Sequence, residues 1–102
     1  MSYTFNNKRY ITRGIEATIP TEIILLLWSL IDNMKVTEKD YLQVFKLSVD
    51  TENGYIKQNI THTQERPPYE ANCIAYFNKQ VTAKIFVIDD ISHNTMLLAE
   101  EY

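Results

Sequence analysis

Apolar residues between Pro20 and Lys35 recur at helical spacing. On a wheel of about 100° per residue, Ile23, Ile24, Leu26, Leu27, Trp28, Leu30, Ile31 and Met34 cover a broad arc. Thr21, Glu22, Ser29, Asp32 and Asn33 take the other side, with Leu25 alone among them. The arc is wider than the stripe of an ordinary surface helix, so the segment is expected to lie against a sheet and to be partly covered at its flanks. Pro20 suits the first helical position, where its missing N–H leaves nothing unpaired. Glu22 complements the positive end of the helix dipole.

Further on the period changes to two. Phe45, Leu47 and Val49 alternate with Lys46, Ser48 and Asp50, the mark of a half-buried strand. Thr37 with Asp40 also fits a capping box that would start a second helix, but the alternation favours the strand. Asn53-Gly54 then supplies a hairpin turn, since both residues tolerate positive φ. A two-residue loop there pairs Glu52 with Tyr55, Asp50 with Lys57, Leu47 with Ile60 and Lys46 with Thr61. One face collects Phe45, Leu47, Val49, Ile56, Ile60 and His62; the other collects Lys46, Ser48, Asp50, Lys57, Asn59 and Thr61. The opposite charges fall on the wet face, as cross-strand chemistry prefers.

Three other stretches favour extended structure: Lys8 to Ile15 with a bend at Gly14, Asn72 to Phe77, and Gln80 to Asp89. The last is apolar on both faces near its end, which suits an interior strand. Arg66-Pro67-Pro68 closes the hairpin, because proline has no N–H to give a ladder. Asn78-Lys79 fits a tight turn between the last two strands, and Ile91 to Asn94 a second turn. Thr95 to Tyr102 fits either a final strand or a short helix. The fold expected is α+β, an antiparallel sheet of four or five strands with one main helix packed on one face. Residues 1–102 form a single domain of ordinary size.

Composition narrows the class. Hydrophobic residues make up 45% and charged residues 23%, which excludes a disordered chain. The net charge is −3, from 10 basic and 13 acidic residues, so a dedicated nucleic-acid domain starts at a disadvantage. The single cysteine, Cys73, excludes a disulfide framework and reads as a small buried hydrophobe. Met1 to Tyr10 carries Lys8 and Arg9 without a following apolar run, unlike a secretory signal. The apolar run Ile23 to Trp28 is far short of the about 20 residues of a membrane span. A cytoplasmic protein with no membrane partner is expected.

Candidate chemistry is sparse. Asp89, Asp90 and His93 form the one cluster with metal-ligand or acid–base character. Successive strand residues point to opposite faces, however, and turns select Asp for its local backbone bonds, so the turn reading is favoured. His62 falls opposite Phe45 on the core face, where a hydrogen-bonded sheet residue is expected rather than a base. Lys8, Arg9 and Arg13 surround Tyr10, an arrangement that suits a phosphate backbone with a stacked base. On a strand Arg9 and Arg13 share one side with Ile11, so only two cations align, and a charged strand edge is the plainer reading. Glu100-Glu101-Tyr102 pairs acids with a terminal aromatic that suits a mobile tail anchored in a partner's pocket, or packing back on the sheet. Neither a nucleophile elbow nor a phosphate-binding glycine loop is present, and no cofactor is expected.

Three stretches carry a resemblance: Phe5-Asn6-Asn7-Lys8-Arg9-Tyr10-Ile11-Thr12-Arg13-Gly14, then Asp40-Tyr41-Leu42-Gln43-Val44-Phe45, then Val87-Ile88-Asp89-Asp90 with Thr95-Met96-Leu97-Leu98-Ala99-Glu100-Glu101-Tyr102. Together they resemble the domain-of-unknown-function family numbered 960, over nearly the whole chain. That family occurs in Gram-positive bacteria, their phages and mobile chromosomal cassettes. The resemblance implies an accessory protein serving a mobile element and assigns no catalytic residue.

The function expected is therefore a non-catalytic accessory whose main partner is another protein. Seven tyrosines cannot all be buried in so small a domain, and tyrosine is favoured at recognition surfaces. Arg9, Tyr10, Arg13, Asp89, Asp90, His93 and Tyr102 are the candidate partner-binding residues. The alternatives are a single-stranded nucleic-acid accessory using Arg9, Tyr10 and Arg13, and a small metal-dependent enzyme using Asp89, Asp90 and His93. An edge strand pairing across a two-fold axis would make a homo-oligomer.

Overall fold

A computed structural model describes residues 3–102. Met1 and Ser2, the start of the stretch compared above with a secretory signal, lie outside the described residues. Six strands and two helices follow one another as β1 (Lys8–Ile11), α1 (Arg13–Thr18), α2 (Thr21–Asp32), β2 (Leu42–Glu52), β3 (Tyr55–Gln64), β4 (Tyr69–Ala75), β5 (Ala83–Asp89) and β6 (His93–Leu98), with a 3₁₀ turn at Ala99–Glu101. The class is α+β, with one longer helix, but the sheet has six strands rather than four or five. Their order is β1-β6-β5-β2-β3-β4. The sheet is not wholly antiparallel either, because β1 runs parallel to β6 and so joins the two ends of the chain.

The hairpin forms in the expected register, with Glu52 facing Tyr55, Asp50 facing Lys57, Leu47 facing Ile60 and Phe45 facing His62. Asn53 and Gly54 take φ of 52° and 83°, the left-handed pair that a twisted two-residue turn requires. Phe45, Leu47, Ile60 and His62 are buried as expected, whereas Val49 and Ile56 are exposed. Alternation sets which face they share, but the ribbon runs past the end of the core.

Three expectations change. The segment from Lys8 to Ile15 is not one strand: β1 stops at Ile11, and Thr12 caps α1 by accepting the Ile15 N–H on its hydroxyl at 3.3 Å. Gly14 is therefore helical. Pro20 sits one place earlier than expected, as the cap residue of α2, and its carbonyl accepts from the Ile23 and Ile24 N–H groups. Asn78-Lys79 does not join neighbouring strands, since β5 pairs with β2 and β6 while β4 pairs with β3. The chain instead crosses two strands between Ala75 and Ala83. β5 is interior, as its apolar faces require.

Ile15 and Ile19, then Ile23, Leu27, Trp28 and Ile31 of α2, join Phe45, Leu47, Ile60, Ile85, Val87 and Met96 in one buried cluster. Each of those sheet residues lies on the same face by strand alternation. Leu25 is 62% exposed on the opposite side of α2. Among the described residues no helix is long and apolar enough to cross a membrane.

Candidate functional site

The acidic cluster separates in space. Asp89 is buried on the core face, where its carboxylate accepts the Phe5 N–H at 3.0 Å and the Ile91 N–H at 2.8 Å. It ties the N-terminal segment to the β5–β6 turn. Asp90 lies in that turn. Its Oδ1 accepts the backbone N–H groups of Ser92 at 3.0 Å and His93 at 2.9 Å, and the Ser92 hydroxyl at 2.8 Å. The His93 N–H, followed by the Ser92 hydroxyl, holds the Asp90 carboxyl below its usual range. His93 Nε2 is 3.2 Å from Asp90 Oδ2. Asp90 and His93 thus meet while Asp89 faces away, as the turn chemistry implied. Among the described residues no group of three His, Cys, Asp or Glu side chains is placed to hold a metal ion.

The basic cluster also divides. Arg9 points to the core face, where its guanidinium pairs with Asp32, donates to the Phe5 carbonyl at 3.0 Å and lies 4.6 Å from the Trp28 ring centre. It binds β1 to the end of α2. Arg13 is the first residue of α1 and does not share a strand side with Arg9, because Thr12 has already turned the chain. Tyr10 faces the other side of the sheet and meets the His93 ring edge-on at 5.4 Å. Of the candidate residues, the fold therefore joins Tyr10, His93 and Asp90.

The C-terminus is not a free tail. Glu101 accepts from the Thr12 hydroxyl at 2.6 Å, the Leu98 N–H at 2.8 Å and the Gly14 N–H at 3.2 Å. The Thr12 hydroxyl, first among these, holds the Glu101 carboxyl below its ordinary range. This bond set brings Tyr102 back over the sheet, edge-on to Phe86 at 5.6 Å and 75% exposed.

Tyr10, His93 and Tyr102 border a surface that sequence reasoning missed. Strand alternation puts Tyr10, Thr95, Ile88 and Leu42 in one row across the sheet. Leu97, Phe86, Val44, Thr63 and Glu70 form the next. None of the apolar members belongs to the buried cluster. The row after that is Lys84, Lys46, Thr61 and Asn72. This outer face thus carries an apolar band, half-exposed or more except at the buried Leu97, in place of the polar surface expected of a solvated sheet side.

At the corner where β2 begins and β3 turns into β4, the band opens into a groove of about 560 Å³. Leu42, Val44 and Tyr69 line it together with Asp40, Glu65 and Glu70. Behind it lies a buried polar chain. Gln64 Oε1 accepts from Asp40 N–H at 2.9 Å and from Gln43 Nε2 at 2.8 Å, while Gln64 Nε2 donates to the carbonyls of Glu38 and Pro67. Gln43 Oε1 is 2.7 Å from His62 Nε2, so that nitrogen carries the proton. Burial, between Phe45 and Tyr69, pushes His62 down to about 4. The one sequence trace of the groove is the acid–proline–tyrosine run Glu65-Arg66-Pro67-Pro68-Tyr69-Glu70.

The fold has a solved counterpart. The crystal structure of a protein of unknown function from Enterococcus faecalis superposes with a TM-score of 0.74 at 25% identity, covering 100% of this chain and 98% of that one. A search of curated proteins finds no match. The model of a family described as "Staphylococcal protein of unknown function (DUF960)" matches residues 8–101. With that match spanning β1 through the terminal turn that Glu101 holds in place, the chain belongs to the DUF960 family.

Proposed function

We propose that the protein is a non-catalytic cytoplasmic accessory that binds another protein through the outer face of its sheet. The helix α2 covers the opposite face, on this reading, and leaves the outer one open for the partner. The carrying observation is the apolar band of Leu42, Val44, Phe86 and Ile88, bordered by Tyr10 and Tyr102, on a face separate from the helix-side core. Half-exposed aromatic and aliphatic side chains on a rigid sheet give contact area at low entropic cost. Service to a mobile genetic element follows from the family resemblance alone.

Two observations weigh against the alternatives. Arg9, one of the two cations of the nucleic-acid reading, is already engaged by Asp32 and Trp28. Asp89 and Asp90 serve separate backbone groups and do not converge.

The test is capture from host lysate by immobilised wild-type protein, by a Tyr10→Ala, Tyr102→Ala double variant and by Leu25→Ala on α2. A stoichiometric protein should be retained by the wild type and by Leu25→Ala and lost by the double variant. Retention by all three, or capture of nothing at stoichiometry, overturns the proposal.

A further inference from the structure

We infer that the groove at the corner of the outer face takes an extended basic peptide segment, a lysine or arginine flanked by aliphatic residues. This rests on the reading that the outer face binds protein, and it names the class of sequence recognised there.

The floor is apolar, formed by Leu42 and Val44 from β2 with Pro68 beside them, and the chain at Tyr41 and Tyr69 closes its edge. At about 560 Å³ the groove falls within the roughly 300–1,000 Å³ typical of ligand-binding clefts. Three carboxylates, Asp40, Glu65 and Glu70, share the lining. Among the described residues none of the three has a cation within ion-pair distance, although Arg66 is a chain neighbour of Glu65. Asp40 Oδ2 accepts the Arg66 N–H at 3.0 Å, and among the described residues its other oxygen has no hydrogen-bond partner.

Like charges gathered at an apolar cleft repel one another and raise the local cation concentration. A docking cation relieves that repulsion, and the aliphatic stem of lysine or arginine suits the Leu42, Val44 and Pro68 surfaces. The same carboxylates repel phosphate, so nucleic acid does not fit this corner.

The walls are also fixed in advance. Gln64 is 5% exposed and bonds at once to Glu38, Asp40, Gln43 and Pro67, joining the two segments that enclose the groove. On the core face Tyr69 meets His62 edge-on at 5.3 Å, which anchors the start of β4 beneath the groove. A preformed cleft loses little entropy on binding, which suits recognition of a short flexible segment.

The test uses the full chain and a short blocked peptide alternating leucine and lysine, with a leucine–glutamate peptide as control. Methyl and amide chemical shifts are followed by NMR. The lysine peptide should shift Leu42, Val44 and the amides of residues 63–70, weaken with added salt, and lose about tenfold in affinity in a folded Glu65→Lys, Glu70→Lys double variant. Equal shifts with the glutamate peptide, unshifted groove residues, or unchanged affinity in the double variant overturn the inference. Sedimentation showing the groove closed by a second copy of the chain also overturns it. A lysate partner lost with Tyr10→Ala, Tyr102→Ala but kept by the charge-reversed variant sinks this inference alone. A lysine peptide that binds as stated, with no stoichiometric protein captured, sinks the parent proposal alone.

Discussion

The carboxylate of Glu101 occupies the space that a side chain on residue 14 would need. A Cβ built on Gly14 would lie 2.6 Å from Glu101 Cδ and Oε2, well inside contact distance. Glycine here serves close approach, letting the chain's end bond to the Gly14 N–H and the Thr12 hydroxyl at the start of α1. Gly14→Ala should displace Glu101, and Glu101→Ala should release the same contacts. Each single change should lower the thermal midpoint, and the pair should cost little more than either alone, because both remove one interaction. Full additivity in a double-mutant cycle would contradict this geometry.

His62 gives a pH signature. Its folded value is about 4, against 6.5 unfolded, because burial disfavours the charged ring. The unfolded chain therefore binds a proton between these values while the folded chain does not. The stability from keeping His62 neutral is complete above pH 6.5 and is lost progressively as pH falls toward 4. Over that window the loss approaches about 3 kcal/mol. Asp90 and Glu101, held below their ordinary values, lose their contributions only at the acid end of the range, from about pH 4.5 down. Denaturant titrations from pH 7.5 to 4 should show the slope, and His62→Phe should flatten it.

Ile91 adopts a φ of 80°, a conformation costly for a β-branched side chain, and is 47% exposed. Its N–H and carbonyl are held by Asp89 and Asn7. Ile91→Gly removes the backbone strain while sacrificing little burial, and should raise stability by about 1 kcal/mol. A loss of similar size in chemical denaturation would show that the turn is unstrained.

Arg9 is a structural tether and should behave as one. Arg9→Ala removes the Asp32 pair, the bond to the Phe5 carbonyl and the contact with Trp28. Because the pair is partly exposed, a loss of about 1 kcal/mol is expected after allowance for solvent screening. An unchanged denaturation midpoint would return Arg9 to the pool of free surface cations.

The parts of the fold legible in sequence are those encoded locally. Asn53-Gly54 specifies a turn, the turn specifies a register, and alternation assigns faces, so Phe45, Leu47, Ile60 and His62 follow without reference to the rest of the chain. The α2 arc is legible for the same reason. Alternation is silent on how far the covering extends, hence the exposure of Val49 and Ile56. The β1–β6 pairing joins opposite ends of the chain, and short strands carry no mark of a parallel partner. Arg9 and Arg13 part because a single hydroxyl, that of Thr12, converts the expected strand into a helix cap. The groove is least legible, since Asp40 to Val44 and Thr63 to Glu70 become neighbours only through β2–β3 pairing and the Gln64 bonds.

The most direct measurement places a photo-crosslinking amino acid at one position at a time and identifies adducts formed in the host cell. Phe86 and Tyr10 report on the outer face, Leu25 on the exposed side of α2, and Tyr55 on the tip of the β2–β3 ribbon. A discrete protein adduct should form from Phe86 and Tyr10 and not from Leu25 or Tyr55. Adducts from Leu25 or Tyr55 alone, or none from the outer face, would contradict the assignment of that face to a protein partner.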